Sequence, residues 1–131
     1  MTTQALQAVP TGFSLPEWIV HQTLIRLGKI PDVDFVFQSP LFGGRIQKGG
    51  LVIDFLFINP PDLAFNIQGE FFHQEQGADV IARDRMTRAA LAGEGITLIF
   101  LDASDVLAEP EHFVRAALRY QDLSFLGGIG G

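Results

Sequence analysis

Gly50-Leu-Val-Ile-Asp-Phe-Leu-Phe-Ile58 and Leu63-Ala-Phe-Asn-Ile-Gln-Gly69 are the two stretches that decide the fold of this chain. The first is apolar on both faces of an extended chain apart from Asp54, which predicts a central strand of a sheet over residues 51–58. The second predicts a strand over residues 63–68, and Asn59-Pro-Pro-Asp62 between them predicts a tight turn. The two stretches therefore predict strands that follow each other through a hairpin connection.

Asp54 is the one carboxylate inside the first of these strands. Burying an ionised carboxylate among large apolar side chains is costly unless a metal ion, a cation or several hydrogen-bond donors meet it. One interpretation, which we favour, is a functional acid. The other is a structural acid that is satisfied by backbone donors or by the cations of Arg45 and Lys48.

Asn66 and Gln68 lie two positions apart in the second strand, so both point to one face while Phe65 and Ile67 point to the other. A polar pair on one face, next to a strand with a buried acid, indicates a candidate site. The alternative is that the two amides form hydrogen bonds within a half-exposed strand, because neutral amides cost much less to bury than ions.

The flanking segments predict helices around these strands. Ser14-Leu-Pro-Glu17 predicts a helix start with a capping box, and Gly28 predicts its end. The other predicted elements are a strand at 34–38, a helix at 78–94, a strand at 96–101, a turn or short helix at 102–107 and a helix at 110–120. This α-β-β-β-α-β-α order predicts an α/β fold with a mixed sheet and helices on both faces.

The helix at 78–94 has an apolar stripe that predicts its buried face. The stripe consists of Ile81, Ala82, Met86, Ala89, Ala90 and Gly93. Asp84 and Arg88, four residues apart, are then expected to pair on the surface. Arg85 and Arg88 also belong to a basic turn, which either contacts a phosphate backbone or, as we favour, pairs in solvent with Asp79 and Asp84.

The length of 131 residues fits one domain, which we place at 14–121. Residues 1–13 are expected to form a flexible arm and residues 122–131 a flexible Gly-rich tail, and either segment could bind another protein chain. No apolar run reaches the ~18 residues of a membrane span. The N-terminus lacks a signal-peptide pattern and there is no Cys, so we expect a cytoplasmic protein without membrane contact.

The charge balance argues against a protein that binds nucleic acid by bulk electrostatics. The net charge is −6 and the pI about 4.8, whereas neutralising phosphates requires clustered Lys and Arg. A local basic patch remains compatible with this balance. The Gly-rich segment around Arg45 and Lys48 predicts either such a patch or a plain hairpin tip.

The order of elements and their polar residues resemble the PD-(D/E)XK (restriction-endonuclease-like) nuclease superfamily, above all its small members related to the very-short-patch repair endonuclease. In those proteins a helix with an early Glu precedes a strand with Val-Asp-Phe, a strand such as Ile-Glu-Val-Asp-Gly and a His. The counterparts here are Glu17, Ile53-Asp54-Phe55, Asn66-Ile67-Gln68-Gly69, His73 and Gly95-Ile-Thr-Leu-Ile-Phe100. The resemblance covers residues 14–120 and implies an αβββαβ core. Phage genomes encode many small proteins with a similar Gln-Gly-Glu-aromatic-aromatic-His segment.

The resemblance implies hydrolysis of phosphodiester bonds in DNA at a Mg²⁺ site. It makes Asp54 the first metal ligand and Ile67 a ligand through its backbone carbonyl. Glu17 would add an outer acid from the first helix, although we favour a role in the capping box for this residue. The resemblance thus implies one firm ligand residue and two supporting ones.

Gln68, Glu70 and His73 are the further catalytic candidates, which would position water and phosphate. Gln68 occupies a position that usually carries Lys, and Glu70 could lend a carboxylate from the same face if the strand continues. His73 is a general acid or base, a donor to a carboxylate or a structural loop residue. The candidate contacts to DNA are Arg45, Lys48, Arg85 and Arg88.

Two departures from the family pattern leave two functions open. Asn66 stands where the family has Glu or Asp, and Gln68 replaces the Lys. One function is a Mg²⁺-dependent nuclease with a degenerate site, of a kind that phages encode and that acts in the host cytoplasm. The other is a catalytically inactive nuclease fold that serves as a structural or interaction module in a virion or DNA-processing complex.

Overall fold

The computed structural model describes residues 9–37, 46–48, 51–69 and 77–128. Its elements are α1 (Leu15–Arg26), β1 (Phe35–Phe37), β2 (Ile46–Lys48), β3 (Leu51–Ile53), β4 (Phe55–Phe57), β5 (Leu63–Gln68), α2 (Gly77–Ala92), β6 (Thr97–Asp102), α3 (Ala103–Ala108), α4 (Pro110–Leu118) and α5 (Phe125–Gly128). The longest helix, α2, has 16 residues. No helix in the described part of the chain is long and apolar enough to cross a membrane.

Four strands form a mixed sheet in the order β1-β4-β5-β6. β1 and β5 both pair antiparallel with β4, whereas β5 runs parallel to β6. A parallel pair requires a long crossover connection, and α2 lies within it. The predicted α/β fold with a four-stranded mixed sheet flanked by helices is therefore confirmed.

The apolar stretch that predicted one central strand is divided at Asp54 into β3 and β4. β3 pairs with β2 in a separate two-stranded sheet, with Ile53 opposite Ile46. The backbone N–H of Asp54 donates to the side-chain oxygen of Asn66 at 2.8 Å rather than to a backbone carbonyl. The prediction of an unbroken strand over residues 51–58 is therefore wrong, because a side chain of β5 takes a hydrogen bond that a sheet ladder would use.

One face of the four-stranded sheet packs on a large apolar cluster. Phe55 and Phe65 are fully buried there, and the rings of Phe57 and Phe65 meet edge to face with centroids 4.8 Å apart. Helices α1, α3 and α4 cover this face with Val20, Leu24, Val106, Val114 and Ala117. We call this side the apolar face, since burial of its Phe, Leu and Val side chains supplies most of the core.

The opposite face is apolar at one end and polar at the other. Its apolar end consists of Ile53, Ala64, Leu98 and Phe100, which pack against Leu91 of α2 and Leu126 of α5. Its polar end consists of Asn66, Gln68 and Asp102, each no more than 9% exposed. We call this side the mixed face.

Helix α2 covers the mixed face, but not with the side that its apolar stripe predicts. Asp84, Thr87 and Leu91 are at most 8% exposed, whereas Met86 is 70% exposed. Ile81 of the predicted stripe packs partly on the apolar end. The predicted orientation of α2 is therefore wrong, because the polar end of the sheet takes polar partners from the helix.

Parts of both chain ends pack on the domain. The ring of Phe13 stacks on Phe37 with centroids 4.1 Å apart. Leu126 is fully buried, and the N–H of Phe125 donates to Asp102 Oδ2 at 2.9 Å. Residues 9–13 and 122–128 thus differ from the flexible arm and tail that we predicted, while residues 1–8 and 129–131 lie outside the described residues.

Candidate functional site

Polar side chains from the start of β4, from β5 and from α2 meet at the carboxyl end of β5. Asp54 immediately precedes β4, and Asn66 and Gln68 lie in the second half of β5. Asp84 reaches them from α2 through a hydrogen bond with Gln68. We call these four residues the acid–amide cluster.

Asp54 is held by β5 at both its backbone and its side chain. Its N–H donates to Asn66 Oδ1 at 2.8 Å, and its Oδ2 accepts the N–H of Ile67 at 2.8 Å. These two bonds join residues 12 and 13 positions apart in the chain. The carboxylate predicted as a functional acid is therefore fixed in place, and the backbone-donor interpretation of Asp54 is met in part.

Burial raises the pKa of the Asp54 carboxyl from 3.8 to about 7. The hydrogen bond from the Ile67 N–H opposes this shift, while the nearby carboxylates of Glu17 and Asp84 add to it. Among the described residues, no cation acts on the pKa of Asp54. Negative charge is therefore crowded at this point of the sheet.

Asp84 is the member of the cluster that the sequence did not predict. It is 8% exposed, and within the described part of the chain its Oδ2 has no hydrogen-bond partner. Burial raises the pKa of its carboxyl, while the charge of Arg83 and the hydrogen bond from Gln68 lower it. The expected surface pair with Arg88 is therefore wrong, since the carboxylate of Asp84 is turned toward the sheet.

A weak sequence signal did point to Asp84. Asp84, Thr87 and Leu91 repeat at the spacing of one helix face. That face carries a charge, so an assignment based on hydrophobicity alone chooses the neighbouring Met-containing stripe. Only the presence of buried amides opposite the helix makes the polar face the buried one.

Glu17 completes the predicted capping box at the start of α1. Its Oε1 accepts the N–H of Ser14 at 2.7 Å, and Ser14 Oγ accepts the N–H of Glu17 at 3.3 Å. The same carboxylate acts on the pKa of Asp54. Glu17 thus adds negative charge near the cluster while one of its oxygens is engaged in the helix cap.

Several predicted site residues lie outside the described residues: Arg45, Glu70 and His73, together with the side chain of Lys48. Arg85 is exposed on α2. The guanidinium of Arg88 lies over the ring of Phe100, 5.7 Å from its centroid. Arg88 is therefore engaged with the mixed face, whereas Arg85 lies on the outer surface of the helix.

The acid–amide cluster could hold a divalent cation that needs few protein ligands. Among the described residues, no group of three or more His, Cys, Asp or Glu side chains could hold a metal by itself. Mg²⁺ requires fewer protein ligands than such a group provides, because it keeps several waters and is often bound by one or two carboxylates together with substrate phosphates. Asp54 and Asp84 are suited to that role, because the charge of Asp84 acts on Asp54 and Asp84 Oδ2 has no partner in the described ranges of the chain.

No known protein family matches the chain, and neither a curated protein nor a solved structure matches it.

Proposed function

We propose that this chain is a nuclease-like protein of PD-(D/E)XK type, whose acid–amide cluster supports Mg²⁺-dependent hydrolysis of phosphodiester bonds in DNA. The observation that carries this proposal is the raised pKa of Asp54 beside Asp84, whose Oδ2 is buried and has no hydrogen-bond partner among the described residues. Crowded carboxylates at a strand end are costly for stability, and a bound cation offsets that cost.

The order of strands supports the same proposal. A sheet of order β1-β4-β5-β6 with one parallel pair is what an αβββαβ core requires, once the added hairpin β2–β3 is set aside. The acid expected on the second core strand is Asp54, which immediately precedes β4, and the polar pair expected on the third is Asn66 and Gln68 of β5. The resemblance and the geometry thus select the same end of the sheet.

The residues have distinct chemical roles in this proposal. Asp54 and the backbone carbonyl of Ile67 would hold Mg²⁺, with Glu17 supplying negative field from α1. Gln68 would orient water or phosphate through its amide, and Glu70 and His73 remain candidates for the same task. The ion, when bound, would activate water and offset charge on the phosphate. With a net charge of −6, DNA binding would depend on local cations such as Arg85.

The second candidate function is an inactive nuclease fold that serves as a structural or interaction module, for example in a virion or DNA-processing complex. The observation in its favour is that Asn66 Oδ1 accepts the Asp54 N–H. The position that carries an acid in the family is thus engaged in holding two strands together. This module would need neither metal nor DNA cleavage.

Cleavage of plasmid and single-stranded DNA in Mg²⁺ or Mn²⁺ tests the first function. Asp54→Asn keeps the size of the side chain and an acceptor for the Ile67 N–H, but it removes the charge. We expect it to lower the cleavage rate by at least about 100-fold, since a metal site contributes several kcal/mol to such a reaction. Metal binding followed by calorimetry is measured on the same samples.

Asp105→Asn is the matched control, because Asp105 is a partly buried acid on α3, the helix that covers the apolar face. It is expected to cut like the wild type. A wild-type chain that neither binds metal at millimolar concentration nor cuts DNA would favour the interaction module. Equal cutting by Asp54→Asn would exclude the cluster as the active site.

A further inference from the structure

We propose that Asp84, carried by α2, is the second anionic ligand of a divalent cation at the acid–amide cluster and replaces the acid that position 66 lacks. This inference rests on the proposed function, because it concerns the same site. It assigns a binding role to a residue that the sequence pattern places on the surface.

The burial of Asp84 is the first argument. The residue is 8% exposed, and its Oδ2 has no hydrogen-bond partner among the residues that the structure describes. A buried carboxylate oxygen without a donor is rare in folded proteins and costs free energy. A buried carboxylate oxygen without a protein donor is suited to bind a cation. A residue that only paired with Arg83 would gain more by pointing to solvent, where that cation lies.

The attachment of both carboxylates to one strand is the second argument. Successive residues of β5 act in turn: Asn66 and Ile67 hold Asp54, and Gln68 holds Asp84. Two acids from different elements are thereby directed to three consecutive residues of one strand. The charge of Asp84 also acts on Asp54. A divalent cation between them would convert that repulsion into attraction.

The chemistry of position 66 is the third argument. Asn66 has a neutral amide, and its oxygen already accepts the N–H of Asp54. The strand therefore provides one fewer negative charge than the family pattern requires. Asp84 restores that charge from the helix opposite, so the site keeps two carboxylates in total. Mg²⁺ commonly takes one or two protein carboxylates.

Calorimetric titration of the full chain with Mn²⁺ tests the proposal. Asp84→Asn preserves the size of the side chain and an acceptor for Gln68, and it removes the charge. We expect Mn²⁺ binding to weaken by at least about tenfold. Asp79→Asn is the control, because Asp79 is exposed in the first turn of the same helix, and it should leave the affinity within about twofold.

The outcomes separate this proposal from the proposed function. A wild-type chain that binds no Mn²⁺ overturns both. A wild-type chain that binds Mn²⁺, with Asp84→Asn binding equally well, overturns the role of Asp84 alone. Loss of binding in Asp84→Asn but not in Asp79→Asn supports it.

A double variant that moves the carboxylate from position 84 to position 66 tests whether Asp84 replaces an acid at position 66. Asn66→Asp keeps an acceptor for the Asp54 N–H and adds a carboxylate to β5. Combined with Asp84→Asn, it should restore most of the lost Mn²⁺ affinity. A double variant that binds as weakly as Asp84→Asn overturns this substitution of one acid for another.

Paramagnetic broadening in the wild-type chain provides a test without any variant, in case Asp84→Asn does not fold. Substoichiometric Mn²⁺ should broaden the backbone amide signals of Asp54, Ile67 and Asp84 and spare those of α4 on the other face. Broadening at Asp54 and Ile67 that leaves Asp84 and its neighbours on α2 sharp overturns the proposal.

Discussion

The apolar face and the mixed face of the sheet share the same strands but are built differently. In β5, Leu63 and Phe65 face the apolar cluster, whereas Asn66 and Gln68 face α2. Helix α1 closes the first face with Val20 and Leu24, while α2 brings Asp84 and Thr87 to the second.

The apolar face stabilises the folded chain, whereas the polar end of the mixed face lowers its stability. The apolar face gains free energy from removing large side chains from water. The polar end of the mixed face offsets part of this free energy, because burial of its carboxylates is costly and raises their pKa values. Carboxyl groups with perturbed pKa values that lie together at one strand end are typical of functional sites.

Phe65→Ala should have the largest effect, because it opens a cavity in the apolar face. The side chain of Phe65 is completely buried, with 0% of its surface accessible to solvent. We expect a loss of about 3–5 kcal/mol in the free energy of unfolding, measured by urea denaturation. The control is Leu107→Ala on α3, where Leu107 is 45% exposed, so a loss below about 1 kcal/mol is expected. Comparable losses in the two variants would contradict the assignment of the core to this face.

Asp54 should make the mixed face sensitive to pH. Its pKa is about 7 in the folded chain and 3.8 in its ordinary state, so the folded chain holds the proton more tightly between these values. The contribution of Asp54 to the free energy of unfolding therefore falls by at most about 4 kcal/mol as the pH rises from about 4 to 7. It stays low at higher pH.

Asp54→Asn removes this titration and shows its size. Unfolding free energies of wild type and variant, measured from pH 4 to pH 8 without divalent cations, should diverge in favour of the variant as the pH rises. Parallel profiles would show that the carboxyl of Asp54 is not perturbed. Added Mg²⁺ should reduce the difference in unfolding free energy between wild type and variant at neutral pH if the cation binds at Asp54.

Asn66→Ala should have the smallest effect of the three, because it removes a hydrogen-bond acceptor without opening the apolar core. The N–H of Asp54 would lose its partner, which costs about 1–2 kcal/mol of unfolding free energy. Asn59→Ala, at an exposed turn, should change stability by less than about 0.5 kcal/mol. An equal response of the two variants would mean that the division between β3 and β4 does not depend on Asn66.

Local signals in the sequence were sufficient for most of the fold. The capping box at Ser14 and Glu17 is formed as predicted, and the strand predicted at 63–68 has the same bounds as β5. Both depend on residues within a few positions of each other. The division at Asp54 could not be predicted in this way, because it depends on a side chain 12 residues further along.

The candidate site was predictable in its strands but not in its helix. Asp54 and Gln68 are conspicuous because they interrupt apolar runs, so their position in the sequence indicates their place in the sheet. Asp84 lies among Arg83, Arg85 and Arg88, where an acid is ordinarily a surface residue. Its burial depends on the amides that β5 presents to α2, and the spacing of Asp84, Thr87 and Leu91 indicates it only weakly.

The carboxylate of Asp122 accepts the backbone N–H of Phe100 at 3.0 Å, and Asp102 in turn accepts the N–H of Phe125. β6 is an edge strand, and unpaired N–H groups on such an edge can recruit a strand from another molecule. The segment 122–128 thus acts as a stop on that side of the sheet. A second chain that extended the sheet at the β6 edge would have to displace this stop.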